Sequence, residues 1–137
     1  MNRHANALWN GDLKTGTGRV TVQSQAFVDQ PYSFKTRFED GTGLNPEELI
    51  AASHASCFSM ATSAQLGERG ITNATIETTS VITMENLALT KSALTVKISA
   101  PGADEATVTE AANAAKVGCP ISKVLNLEIT LDLTVSV

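Results

Sequence analysis

Cys57 and Cys119 are the only two thiols in this chain of 137 residues, and they stand in unlike places. A cysteine does chemistry as its thiolate, so the first question is what would ionise each one. Cys119 lies in Gly118-Cys119-Pro120-Ile121-Ser122-Lys123. Gly118 ends one helix and Pro120 suits the first position of the next, which puts Cys119 at a helix N-cap. There the dipole and free N–H groups favour negative charge. Cys57 lies deep inside a single helical run, gets no such help from its own helix, and would need an external cation. Read this way, Cys119 is the more acidic thiol, and nothing in the spacing says whether the two sulfurs meet. The plainer reading of Cys57 is a small buried apolar side chain, since free cysteine is among the most buried residue types.

Two further constellations involve the same residues. His54 and Cys57, three apart on one helix face, could share a metal with Cys119 and His4. The set lacks any paired C-x-x-C spacing, which argues against a metal. A nucleophile pair of His54 and Cys57 is conceivable, but no third group is evident to orient the imidazole. His54 as a packed helix residue is the better reading.

The central element must be the helix that carries Cys57. Asn45 is a good N-cap, Pro46 fits the first helical position, and Glu47 and Glu48 complement the dipole in the first turn. No Gly or Pro follows until Gly67, and Gly70 suits a C-terminal stop, giving a helix of roughly 20 residues. Ala51, Ala52, Ser53, Ala55, Ser56, Ser59, Ala61, Thr62, Ser63 and Ala64 dress it in small side chains, so it expects a closely packed helix neighbour. Before it, Ala5–Asn10 and the alternation through Val20, Val22 and Ser24 read as a hairpin or meander. Tyr32, Phe34, Thr36 and Phe38 alternate with Ser33, Lys35, Arg37 and Glu39, which reads as a half-buried strand with Arg37 on its outer face. After the helix come strands through Ile76–Met84 and Leu94–Ser99, a second helix from a cap at Asp104 to about Val117, and a last strand. In that strand Leu127, Ile129, Leu131, Leu133, Val135 and Val137 alternate with polar residues. Clean period-2 alternation favours antiparallel pairing, and the fold class is α+β.

At this length the chain, residues 1–137, reads as one domain, near the size where oligomerisation helps. A formal charge of -4 argues against a nucleic acid or an anionic membrane surface as partner. The N-terminus lacks the apolar core of a signal peptide, and no apolar run spans a bilayer, so a reducing cytoplasmic compartment is expected. Two cysteines there point to redox chemistry or to inert thiols more than to a permanent staple.

The residues also carry a family likeness. Tyr32-Ser33-Phe34-Lys35-Thr36-Arg37-Phe38-Glu39, the segment from Thr42-Gly43-Leu44-Asn45-Pro46-Glu47-Glu48-Leu49 through Cys57-Phe58-Ser59-Met60, and Gly118-Cys119-Pro120-Ile121-Ser122 closely resemble the OsmC/Ohr family. These are the osmotically inducible and organic hydroperoxide resistance proteins. Trp9-Asn10-Gly11-Asp12 and the final strand extend the resemblance over nearly the whole chain, and Arg37 before the helix looks like the OsmC branch.

The resemblance implies an α+β fold of antiparallel sheets around the long helix and a second helix, in an intertwined homodimer. It implies a thiol-dependent peroxidase acting on organic hydroperoxides in oxidative or osmotic stress defence, with no metal, haem or flavin. Cys57 would attack the peroxide and become a sulfenic acid, and Cys119 would resolve it to a disulfide. An external dithiol, such as a lipoylated protein, would regenerate both thiols. Arg37 matches the family arginine that stabilises the thiolate, and Glu47 the acid that holds that arginine. At 100° per residue Glu47 is about 80° around the helix from Cys57 and about 15 Å along it, so one arginine serving both within one chain would be stretched. Arg37 and Glu47 of one protomer are therefore expected to serve Cys57 of the other. Phe34, Phe38, Phe58, Met60 and Ile121 are expected to line an apolar pocket. The alternative function is a dimeric small-ligand-binding module that keeps the fold without catalysis.

Overall fold

A computed structural model describes all residues, 1–137. It divides into two compact units, Met1–Leu49 and Ile50–Val137.

In the first unit, β1 (Ala5–Asn10), β2 (Thr17–Val22) and β3 (Gln30–Tyr32) form an antiparallel sheet in sequential order. Gly18 on β2 lies under the Tyr32 ring, where a Cβ would fall about 2.3 Å from a ring carbon, so only glycine fits that crossing. The expected strand through Tyr32–Glu39 is not formed. The chain leaves β3 after Tyr32 and turns into a short helix, α1 (Phe34–Phe38). Ser33 caps it: its hydroxyl accepts from the Thr36 N–H, and the Thr36 hydroxyl accepts from the Ser33 N–H, a reciprocal capping box. Spacing of four then brings the Phe34 and Phe38 rings together at 4.9 Å between centroids. The same residues alternate with period 2, which is why they read as a strand. The local capping bonds decided between the two periods.

The helix expected at Asn45 is α2 (Pro46–Glu68), 23 residues long, with Asn45 Oδ1 accepting from the Glu48 N–H at 2.8 Å. No helix is long and apolar enough to cross a membrane. In the second unit α2 is followed by β4 (Thr75–Glu85), β5 (Ala88–Ser99), α3 (Glu105–Gly118), α4 (Pro120–Val124) and β6 (Glu128–Ser136). The β4–β5 hairpin is longer than the sequence pattern suggested. Its two-residue turn, Asn86-Leu87, holds both residues at positive φ, 52° and 62°. That is the geometry of a type I′ turn, ordinarily marked by glycine, and leucine hides it.

Sheet order is β4-β5-β6, with β4 antiparallel and β6 parallel to β5. The parallel pair corrects the all-antiparallel expectation. The chain leaves β5 and crosses over through α3 and α4 before returning, and such a crossover brings the strand back in the same direction. The core of this unit is a single cluster of Phe58 and Leu66 from α2, Leu94, Val96 and Ile98 from β5, and Val108, Ala111, Ala112 and Ala115 from α3. Partly buried Ile129, Leu131, Leu133 and Val135 of β6 pack against it. The small Ala111, Ala112 and Ala115 are the fully buried face of α3, whereas Ala52, Ser53, Ser56, Ser63 and Ala64 of α2 stay exposed, so no helix of this chain covers the small-residue face of α2.

Candidate functional site

Cys119 sits where its sequence placed it, as C-cap of α3 and N-cap of α4, with Pro120 at the first helical position. It is fully buried. Cys57, in the middle of α2, is partly exposed. The second unit brings the two sulfurs to 3.1 Å, with both thiols free. This meeting is what the spacing could not reveal. It arises because α2 and the α3–α4 junction share one core.

The pair is electrostatically unequal. Burial pushes the Cys57 thiol up, the Cys119 sulfur beside it pushes further, and the Ile121 N–H only partly offsets them. Burial pushes on Cys119 in the same direction, but there it is outweighed. The Ser122 N–H, the Cys57 thiol, the Ser122 hydroxyl and the Ile121 N–H together bring Cys119 below its ordinary value. In the isolated reduced chain the first thiolate therefore belongs to Cys119, as the N-cap position predicts. Nothing among the groups acting on Cys57 is a cation.

The first unit holds an arginine paired with an acid. Arg37, on α1 rather than on a strand, pairs with Glu47 in the first turn of α2. Its Nη2 lies 2.9 Å and its Nε 3.2 Å from the same carboxylate oxygen, Oε1. The guanidinium also stands 5.2 Å from the centre of the Phe38 ring. Arg37 lines an open groove of about 310 Å³ with Trp9, Leu13, Tyr32, Ser33, Phe34 and Pro46. Of the aromatic and apolar residues expected around a pocket, Phe34 is thus in a groove. Phe58 is fully buried in the core and Met60 is 74% exposed, so these two do not line it.

His54 is a packed helix residue, as the residue pattern favoured. It is fully buried, with Nδ1 2.7 Å from Ser92 Oγ and Nε2 2.9 Å from Ser122 Oγ. Both ring nitrogens are engaged by hydroxyls, which leaves neither free for a metal or for activating Cys57. Sequence reasoning missed Ser92 and Ser122. Ser122 had one usable signal, its place three residues after an N-cap cysteine; Ser92, on a strand, had none.

A family model described as OsmC-like protein matches residues 39–134. The peroxiredoxin OsmC of Escherichia coli strain K12 is 46% identical over 136 residues, covering 96% of this chain and 95% of that protein. Among solved structures, the organic hydroperoxide resistance protein OhrB of Bacillus subtilis is 25% identical with a TM-score of 0.65, covering 96% of this chain and 98% of that one. The OsmC-like protein of Mycoplasma pneumoniae, 15% identical, shares the fold with a TM-score of 0.71 over 100% of this chain and 99% of that one.

Proposed function

The chain belongs to the OsmC-like family, and on that premise we propose that it is a thiol peroxidase that reduces organic hydroperoxides through Cys57 and Cys119. The observation that carries this reading is the 3.1 Å approach of two free thiols whose ionisation is driven in opposite directions. The names of the relatives, a peroxiredoxin and an organic hydroperoxide resistance protein, point to the same chemistry.

In the first step the Cys57 thiolate attacks the distal oxygen of the hydroperoxide. An S–O bond forms, the O–O bond breaks, and the alkoxide leaves and takes up a proton, giving the alcohol and Cys57 sulfenic acid. In the second step the Cys119 thiolate attacks the Cys57 sulfur. An S–S bond forms and the S–O bond breaks, with hydroxide leaving and taking up the proton that Cys119 has released, as water. Two electrons and two protons from an external dithiol, of which a lipoylated protein is one class, restore both thiols. Cys119 suits the resolving role because its surroundings favour the thiolate more than those of Cys57 do, and because it is fully buried and shielded from peroxide. No step here calls for a metal, haem or flavin.

Arg37 supplies the charge that Cys57 lacks, and Glu47 holds the guanidinium in place. Arg is suited to this because it stays charged when partly buried and its fork can hold a carboxylate while approaching a sulfur. Glu47 and Cys57 are ten residues apart on one helix, about 15 Å along its axis. Arg37, tied to Glu47, therefore serves Cys57 of a second copy in an intertwined homodimer of the 1–137 domain. The small exposed side chains on α2, among them Ala52, Ser53, Ser56 and Ser63, suit a close two-fold contact. Light scattering at micromolar concentration should give twice the mass of the chain; a monomer there overturns the dimer.

Peroxide consumption with dithiothreitol tests the activity, since a binding module of the same fold gives no turnover above buffer. A mixing experiment tests the division between protomers. Heterodimers of Cys57→Ser and Arg37→Met chains contain one site with both lesions and one with neither, so half of wild-type activity returns per heterodimer. If mixtures that demonstrably exchange subunits stay inactive, Arg37 serves the cysteine of its own chain.

A further inference from the structure

The two thiols are not the only pair that joins α2 to α4. His54 stands three residues before Cys57 on α2, and Ser122 stands three residues after Cys119, the N-cap of α4. Their side chains meet as the sulfurs do. His54 Nε2 lies 2.9 Å from Ser122 Oγ, and Cys119 Sγ lies 3.1 Å from Cys57 Sγ. Residues three apart on a helix are neighbours, so the two contacts are successive rungs between the same two elements. The proposed peroxidase steps use the sulfur rung and give the other no task.

Little else fixes α4. It has five residues, Pro120–Val124, and Ser122 is the only one of them that is buried. Val124 is exposed, and Ile121 packs partly buried against the core. An apolar contact of that kind has no preferred direction and tolerates a slide along α2. A buried hydrogen bond tolerates much less, because a slide would leave a nitrogen of the fully buried imidazole without its partner. The imidazole is itself held from behind. Its Nδ1 lies 2.7 Å from Ser92 Oγ on β5, and Ser92 Oγ lies 3.1 Å from Ser80 Oγ on β4. Ser122 is thus tied to the sheet through one ring, and a side chain with two separate polar atoms is what such a link needs.

We infer that the His54–Ser122 hydrogen bond is a register clamp for the thiols: it holds α4 at the position along α2 that sets Cys119 beside Cys57, which makes His54 and Ser122 positioning residues for closing the disulfide. The inference rests on the two-thiol reading proposed above. The clamp moves no proton and no electron. It keeps Cys119 close while Cys57 carries the sulfenic acid, so that attack is the intramolecular step of a preorganised pair and not the search of a loose segment.

The test reads disulfide closure without peroxide. The reduced protein is equilibrated with mixtures of oxidised and reduced dithiothreitol, and the Cys57–Cys119 disulfide is quantified by alkylation and mass spectrometry. Ser122→Thr and Ser122→Val carry side chains of the same shape, and only the first keeps a hydroxyl. The equilibrium constant for closure should stay within about threefold of native in Ser122→Thr and fall about tenfold in Ser122→Val, the effect of losing one buried hydrogen bond. His54→Leu should fall as far, and His54→Leu combined with Ser122→Val no further than either alone, because both remove the same bond. The direction identifies the cause. Removing a group that stabilises a thiolate weakens the reduced form and favours the disulfide, whereas removing a clamp disfavours it. Equal constants for Ser122→Thr and Ser122→Val, a rise in Ser122→Val, or additive losses overturn the inference. The threonine and valine pair keeps it open to refutation if His54→Leu does not fold. With an organic hydroperoxide, the Cys57 sulfenic acid should last about tenfold longer in Ser122→Val than in Ser122→Thr, and equal lifetimes overturn the inference. If the dithiothreitol equilibria behave as expected and peroxide oxidises none of these proteins, the activity proposed above fails while the clamp stands.

Discussion

The two units of this chain differ in what they bury. Ile50–Val137 contains every residue of the hydrophobic core, from Phe58 to Cys119. In Met1–Leu49 only Gly18 and Thr36 are buried, while Leu8, Leu13 and Val28 are half or more exposed. The candidate chemistry follows the same division. The thiols lie in the unit with the core, where burial can tune them, and the Arg37–Glu47 pair lies in the unit without one. A cation is cheap to keep near water, and a pair of thiols that must find each other needs rigid packing around it. A three-stranded sheet with so little buried surface is marginal alone, and this gives a physical reason for the proposed second copy.

The sharpest break in the comparison should come from the thiols. Cys57→Ser should abolish peroxide consumption, whereas Cys119→Ser should permit one oxidation per site and then stall. Rapid-mixing measurement of the first turnover separates them, and the reverse pattern would exchange the two roles. Next in size is Arg37→Met, which should slow peroxide attack by about two orders of magnitude or more while leaving the fold intact, because desolvation then acts on Cys57 unopposed. Circular dichroism checks the fold, and single-turnover rates check the effect.

Stability should divide along the same line. Phe58→Ala, at a fully buried position, should cost about 3–5 kcal/mol in denaturant unfolding. Leu13→Ala, at a position 64% exposed, should cost no more than about 0.5 kcal/mol. Comparable losses at both would mean that the first unit is covered by a partner at Leu13. Glu47→Gln should act as Arg37→Met does but more weakly, about tenfold on the peroxide step, since it loosens the guanidinium without removing its charge.

The smallest effect is one of pH. His54 is buried neutral, with its folded pKa below the unfolded value of about 6.5. The unfolded chain then binds the extra proton between those two values, so stability is fully present above about 6.5 and falls as the pH drops toward the folded value. Urea midpoints measured from pH 7 to 5 should decline, and His54→Leu should flatten that decline.

Local rules in the sequence settled the elements whose ends are fixed by their own residues. Asn45-Pro46-Glu47-Glu48 determined the start of α2, and Gly118-Cys119-Pro120 determined a helix break with a cysteine at the next N-cap. The acidity ranking of the thiols followed from the same local facts, because a helix dipole acts within one turn. Tertiary structure alone decided what depends on distant partners. Tyr32–Phe38 is the exception: it satisfied two periods at once, and the Ser33–Thr36 capping bonds that chose the helix carrying Arg37 are local, though the alternation masked them. β6 reads equally well in either direction, and its parallel register came from the crossover through α3 and α4. Cys57 and Cys119, 62 residues apart, meet only because Phe58 and Ala115 belong to one core. The line from Ser80 to Ser122 joins two strands and two helices, and no pattern along the chain marks such a set, since hydroxyls carry no period and acquire their meaning from what burial places beside them.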